Sequence, residues 1–154
     1  MIVVEARLQP PQFFQLSLLR HFQRPSFYFY AVTAAALTAL TYTMNIDIML
    51  LVVGWVPFGI YMILGLANAF AGSRNPEQPY FLQTRYEFGD EELRMSTSRG
   101  ASTLIWSRFK EWRKVVGCYV LVLDSGPIMA IPVADVPKGR QSALEDFLKK
   151  KIPL

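Results

Sequence analysis

The spacing of apolar and polar positions divides the chain into regions before any other property does. From Phe27 to Ala71 there is a single charged residue, Asp47, whereas both flanks carry charge every few positions. Asn45 and Asp47 split this block into Phe27–Met44 and Ile48–Ala71. About 20 helical residues, rising about 1.5 Å each, cross a hydrocarbon core of about 30 Å, so the pattern predicts a transmembrane helical hairpin over residues 27–71 with a very tight turn. The first span is the shorter and is rich in Ala and Thr, so a re-entrant or buried soluble hairpin is its alternative.

Residues 1–26 read differently. Ile2 to Leu8 alternates as a short strand does, Pro10 and Pro11 break it, and Gln12 to Gln23 then places Phe13, Leu16, Leu19 and Phe22 on one helical face. This predicts an N-terminal strand and an interfacial amphipathic helix leading into the first span. The pattern alone leaves open whether the strand joins a sheet farther along the chain. Residues 72–79 contain Gly, Ser, Asn and two prolines, the composition of a linker.

Residues 80–154 have strand periodicity. Tyr86 and Phe88 alternate with Arg85 and Glu87, and after a turn at Gly89 to Glu91, Leu93 and Met95 alternate with Arg94 and Ser96. Ser102 to Trp106, Lys110 to Val116, Tyr119 to Leu123 and Ile128 to Val133 follow as further strands, the last two joined across Asp124, Ser125, Gly126 and Pro127. The period then changes: Ser142 and Glu145 have capping-box spacing, and Leu144, Phe147, Leu148 and Ile152 share one face of a closing helix while Lys149 to Lys151 line the other. The fold class expected is membrane α+β, with the hairpin followed by a small antiparallel β-barrel or curled sheet capped by one C-terminal helix.

Composition supports the membrane reading. The chain has 154 residues, 52% of them apolar and 18% charged, against about 25% charged in an average soluble domain. Its mean hydropathy is +0.23. Arg7, Arg20 and Arg24 precede the hairpin, Arg74 and Arg85 follow it, and the turn has no Lys or Arg. Loops rich in these residues stay in the cytoplasm, so both termini are expected there, in a bacterial inner membrane. A signal peptide is not expected, because the first apolar run begins at residue 27 and a second follows at once. Arg20, His21, Arg24, Tyr28 and Tyr30 are placed at the membrane interface, with Tyr42 at the far end of the first span. Ala31, Ala35 and Ala39 form a smooth helical face, with Gly54, Gly59 and Gly65 as partners in the second helix or in another copy of the chain. Asp47 lies at the turn rather than mid-membrane and argues for no ion pathway.

The chemistry is sparse. One cysteine, Cys118, excludes an internal disulfide and any paired-cysteine redox or zinc motif, and one histidine, His21, removes most metal and triad arrangements. Nucleotide-loop, dinucleotide and zinc-protease motifs are missing, so no enzyme activity, no cofactor and no metal are expected. Asp90, Glu91 and Glu92 read as a solvated acidic turn, and Cys118 as a small core residue. The cluster that stands out is basic and aromatic: Trp106, Arg108, Lys110, Trp112, Arg113 and Lys114, with Lys138 and Arg140 ahead of the last helix. Alternation puts Lys110, Trp112 and Lys114 on one side of a strand and Glu111 and Arg113 on the other. Beside an anionic bilayer each exposed Lys or Arg contributes on the order of 1 kcal/mol of attraction; the plainer reading is an ordinary solvated surface. Residues 72–154 carry 13 Lys or Arg against 10 acids, net +3, and such mixed signs are too balanced to argue for nucleic acid.

The order of parts resembles the bacterial YcxB-like proteins, which have two membrane helices followed by a domain similar to a pleckstrin-homology fold. The residues that carry the resemblance are Arg85-Tyr86-Glu87-Phe88, Glu91 to Ser96, Ser102-Thr103-Leu104-Ile105-Trp106-Ser107, Tyr119-Val120-Leu121-Val122, Ile131-Pro132 and a terminal helix around Leu144 to Lys151. Where such sequences often continue Ile-Pro-Lys, this one has Val133, so no role of that lysine carries over. The resemblance implies a fold and a membrane topology and no activity. Together these readings predict a non-catalytic membrane protein whose cytoplasmic domain binds a protein partner or the anionic membrane surface, through an open sheet edge or the groove beside the last helix. The alternative is an oligomeric, ligand-gated effector that binds an anionic small molecule such as a nucleotide messenger.

Overall fold

The computed structural model describes residues 2–45, 47–126 and 128–152. The chain divides into two compact units, one made of Met1–Gln12 with Pro76–Leu154 and the other of Phe13–Asn75.

Among the described residues the first unit holds seven strands and an α-helix. Strands β1 (Ile2–Ala6), β2 (Thr84–Phe88), β3 (Glu92–Thr97) and β4 (Gly100–Ile105) form one antiparallel sheet in sequence order. Strands β5 (Phe109–Val115), β6 (Cys118–Leu123) and β7 (Ile128–Pro132) form a second. Helix α4 (Gln141–Lys151) closes the unit. The register places Val4 opposite Tyr86, Tyr86 opposite Met95 and Met95 opposite Ser102, so one cross-strand row runs over all four strands of the first sheet. The question of β1 is thereby answered: it belongs to the sheet, and Val4 and Ala6 are buried there. An apolar, alternating segment ahead of the helices needs a partner for its inward face and for its backbone, and β2 supplies both.

The two sheets do not close into a barrel, which corrects the barrel alternative. Among the described residues no ladder joins β4 to β5 or β7 to β1. The chain leaves β4 through a 3-10 turn at Trp106–Arg108, where Trp106 and Phe109 pack tilted at 5.5 Å between ring centres, and this aromatic wedge takes the place of a ladder. The core lies between the sheets under α4, whose Leu144 and Leu148, with Ile152 after it, are fully buried beside Phe88, Leu93, Tyr119 and Leu121. The helix is not capped as expected. Arg140 occupies the N-cap position without a side-chain cap bond, Ser142 lies inside the first turn, and Glu145 is engaged elsewhere. Gln141 instead donates through Nε2 to the carbonyls of Val133 and Val136, at 3.1 and 3.2 Å. Pro127 of the β6–β7 connection lies outside the described residues.

The second unit is helical. Helix α1 (Pro10–Phe22) enters it, and α2 (Pro25–Met44) and α3 (Met49–Arg74) form the hairpin, α3 running three residues beyond the expected end at Ala71. Both α2 and α3 are long and apolar enough to cross a membrane, and only 11% of each apolar stretch is buried within the protein. Core helices of soluble proteins are mostly covered; these leave Phe29, Val32, Val53, Ile63 and Leu64 more than half exposed. The threonine hydroxyls of α2 are satisfied within the helix, as an apolar medium favours: Thr33, Thr38, Thr41 and Thr43 each donate to the carbonyl four residues earlier. Trp55 Nε1 donates to Thr38 Oγ1 at 2.9 Å and ties the two helices. The packed seam is not the expected alanine face. Ala34 is buried against Gly54, where an added Cβ would meet the Ala34 Cα at 3.2 Å, while Ala35 and Ala39 are exposed and Gly59 has open space above it.

Candidate functional site

The basic and aromatic cluster separates by burial. Trp106 is 7% exposed: its indole N–H donates to the Gly89 carbonyl at 3.0 Å, and its ring stacks on Phe88 and meets Phe147 edge-on. Trp112 is 8% exposed and tilts against Tyr119, with its Nε1 buried and unpartnered among the described residues. Both are core residues rather than surface binders. A shift of register between Phe109 and Glu111 puts Phe109 and Trp112 inward three positions apart, which simple alternation does not anticipate. The exposed part of the cluster is cationic. Arg108, Lys110, Lys138 and Arg140 are exposed and form no ion pair among the described residues, while Arg113 pairs with Glu111 of its own strand.

Lys114 does more than add charge. Its ammonium donates to Glu145 Oε1 at 2.9 Å, the same oxygen accepts from the Tyr119 hydroxyl at 2.9 Å, and Lys114 lies 5.4 Å from the Tyr119 ring centre. The hydrogen bonds from Lys114 and then Tyr119 hold the Glu145 carboxyl below its ordinary range, and Glu145 in turn raises Lys114. Burial is the main reason the Tyr119 hydroxyl is raised. The three side chains fasten α4 to β5 and β6. Sequence spacing assigned Glu145 to a cap, and only the register of Lys114 opposite Tyr119 brings the three together.

His21 packs within the helical unit. Its ring stacks on Tyr61 with 4.3 Å between centres and covers Gly65 so closely that a Cβ there would overlap it; Nε2 is buried without a partner among the described residues. Tyr30 packs on the other side of this group, 5.1 Å from Tyr61, while Tyr28 and the two arginines Arg20 and Arg24 are exposed. Tyr61, absent from the sequence reading, organises the knot: its hydroxyl lies 3.0 Å from Ser26 Oγ and donates to the His21 carbonyl at 3.4 Å.

A cleft of about 330 Å³ that combines apolar walls with a cation lies between the sheets. Tyr80, Tyr86 and Met95 line one side, Met129 and Ala130 of β7 the other, and Arg99 to Ser102 the rim. It is lined by residues of β2, β3 and β4 from the first sheet and of β7 from the second. Tyr86 is the aromatic floor, and burial pushes its hydroxyl above the ordinary range. Arg99 is the single charged residue lining it. The acidic turn Asp90 to Glu92 forms a separate open hollow with Arg94, and Asp90 lies 3.7 Å from Lys151. Cys118 is buried, and desolvation pushes its thiol up to about 11, so it is a protonated core side chain at neutral pH. Among the described residues no group of three or more His, Cys, Asp or Glu is placed to hold a metal ion. Comparison of the chain with family models, curated proteins and solved structures finds no match in any of the three.

Proposed function

We propose that this chain is a non-catalytic, membrane-anchored binding protein of the bacterial inner membrane, whose strand-bearing unit recruits a protein partner at the cytoplasmic face. The observation that carries the anchor is the exposure of α2 and α3: apolar side chains left uncovered along two membrane-length helices need a hydrocarbon surround. The pairing of β1 with β2 supports a hairpin topology, because strands from either side of the hairpin hydrogen-bond in one sheet and so lie on one side of any membrane it crosses. The arginines that flank the hairpin support a cytoplasmic location for that side. The likeness of the strand-bearing unit to a pleckstrin-homology domain rests on its seven antiparallel strands in two sheets with one buried C-terminal helix, and the YcxB-like assignment on the motifs quoted above. The exposed cations Arg108, Lys110, Lys138 and Arg140 add attraction to anionic headgroups.

The test is fractionation with topology mapping. Full-length protein stays with membranes through an alkaline wash, and tags at both termini are digested by protease only in inverted vesicles. Release into the wash overturns the anchor, and digestion of either tag from the periplasmic side overturns the orientation.

A further inference from the structure

We infer that the outer edge of β4, with the cleft beside it, is a receptor for an extended segment of a partner protein that pairs with β4 as a fifth strand, seats a large apolar side chain in the cleft and presents an acidic residue to Arg99. The inference rests on the recruiting role proposed above and names the chemistry of the partner.

Sheet edges are normally defended by charge, proline, a bulge or a covering segment, because their unpaired N–H and C=O groups invite any passing strand. The edges here differ in this respect. β5 has a register shift and carries Lys110, Arg113 and Lys114. β7 is almost entirely buried and ends in Pro132. β1 carries Glu5, and the chain just after it is held by the Arg7 N–H donating to Asp135 Oδ2 at 3.0 Å. β4 has none of these: Gly100-Ala101-Ser102-Thr103-Leu104-Ile105 is uncharged, without proline, regular in register and exposed at five of its six positions. In an antiparallel strand every second residue turns both backbone groups away from its neighbour, so β4 offers a row of them outward. Gly100, at φ +145°, has open space where a Cβ would stand, so the backbone can be approached closely.

The cleft distinguishes a strand from a small ligand. Three of its five side-chain hydroxyls are engaged by the protein's own backbone: Tyr80 donates to the Ile128 carbonyl at 3.3 Å, Thr84 to Leu82 at 3.1 Å and Thr97 to Gly100 at 3.1 Å; the Tyr86 hydroxyl is held by the Thr84 side chain. What remains is apolar wall, one cation at the rim, whose guanidinium gives one N–H to the Glu77 carbonyl at 3.3 Å and has others to offer, and the polar groups of β4, its backbone and the Ser102 hydroxyl. A polypeptide in extended form answers all three, with main-chain bonds for affinity and alternate side chains for the pocket and the charge. A volume of about 330 Å³ accommodates one large apolar side chain.

The test selects short random peptides displayed on phage against the full-length protein in nanodiscs of anionic lipid, then measures the enriched sequences as synthetic peptides. Enrichment of a large apolar residue with Asp or Glu close by is expected. Methylating alternate main-chain nitrogens of such a peptide should weaken binding about tenfold at the positions that face β4 and leave it unchanged at the others. Arg99→Glu should weaken acidic peptides at least about fivefold and restore binding to versions carrying Lys in place of the acid. The inference is overturned if no peptide is enriched, if methylation at every position is tolerated, or if Thr103→Cys crosslinks one chain to another through β4, which would make a second copy the occupant. A protein that stays with membranes yet fails this test loses the inference alone; one released by the alkaline wash loses the anchor and leaves the peptide result standing.

Discussion

Single side chains set two measurable properties of the strand-bearing unit. Glu145 accepts hydrogen bonds from Lys114 and Tyr119, which lowers its pKa and raises that of Lys114. A depressed carboxyl stabilises the fold above its unfolded pKa, near 4.5, and that contribution is lost as pH falls through the folded value. The raised Lys114 contributes below its unfolded value of 10.5 and loses it as pH rises through the folded one. The melting-temperature difference between wild type and Glu145→Gln is therefore expected to be constant from pH 6 to 9, to shrink below about pH 4.5 and to shrink again above about pH 10.5. A difference independent of pH would show that the carboxylate's charge is not what Glu145 contributes. The second property is strain. Val116 and Gly117 form the two-residue turn between β5 and β6, with φ of 54° and 66°. Such a turn favours Asn-Gly, and a β-branched residue at positive φ costs about 1–2 kcal/mol. Val116→Asn should raise unfolding stability by about 1 kcal/mol in a denaturant titration.

At the scale of elements, most of the secondary structure is legible in the sequence, and the exceptions have physical reasons. The spans, the succession of strands along the chain and the closing helix all follow from periodicity and from the Gly and Pro residues between them. The pairing of β1 with β2 is not legible, because a register spanning the whole hairpin leaves no local trace. The inward turn of both Trp106 and Trp112 is hidden by a 3-10 turn and a register shift, each of which breaks the period of two on which face assignment depends. The contacts of His21 were equally out of reach, since Tyr61 and Gly65 lie a hairpin away. The run Gly100–Ile105 carries no charge, and only the sheet order reveals it as an edge. The glycines of α3 provide the element-level prediction. Gly65→Ala places a methyl group into the His21 ring and should speed hydrogen exchange over the end of α1, whereas Gly59→Ala meets nothing within 4 Å and should leave exchange unchanged. Equal behaviour of the two variants would refute the packing described for His21.

At the scale of the molecule, the strand-bearing unit is assembled from both ends of the hairpin. A fragment from Pro76 onward lacks β1, leaves the flank of β2 unpaired and uncovers the ground that Val4 and Ala6 occupy. The apolar burial of these two side chains alone corresponds to about 2 kcal/mol. That fragment should unfold at lower denaturant than one in which residues 2–8 are joined to Pro76 by a flexible linker, and a synthetic peptide of residues 2–8 should recover part of the loss. Equal midpoints would mean that β1 is dispensable.

The pairing of the first strand with β2 also imposes a schedule on synthesis. Ile2 emerges from the ribosome with its apolar face ready, but its partner Phe88 is translated only after both long helices. At about 5–20 residues per second the interval is of the order of ten seconds, during which the nascent segment has no mate and the helices are already committed to their surroundings. The sheet can therefore be completed only after the hairpin has been made, and its completion draws the two ends of the hairpin together like a clasp. A fault in helix insertion would strand Ile2–Ala6 away from Thr84–Phe88, so the finished sheet records that both helices were delivered as a pair.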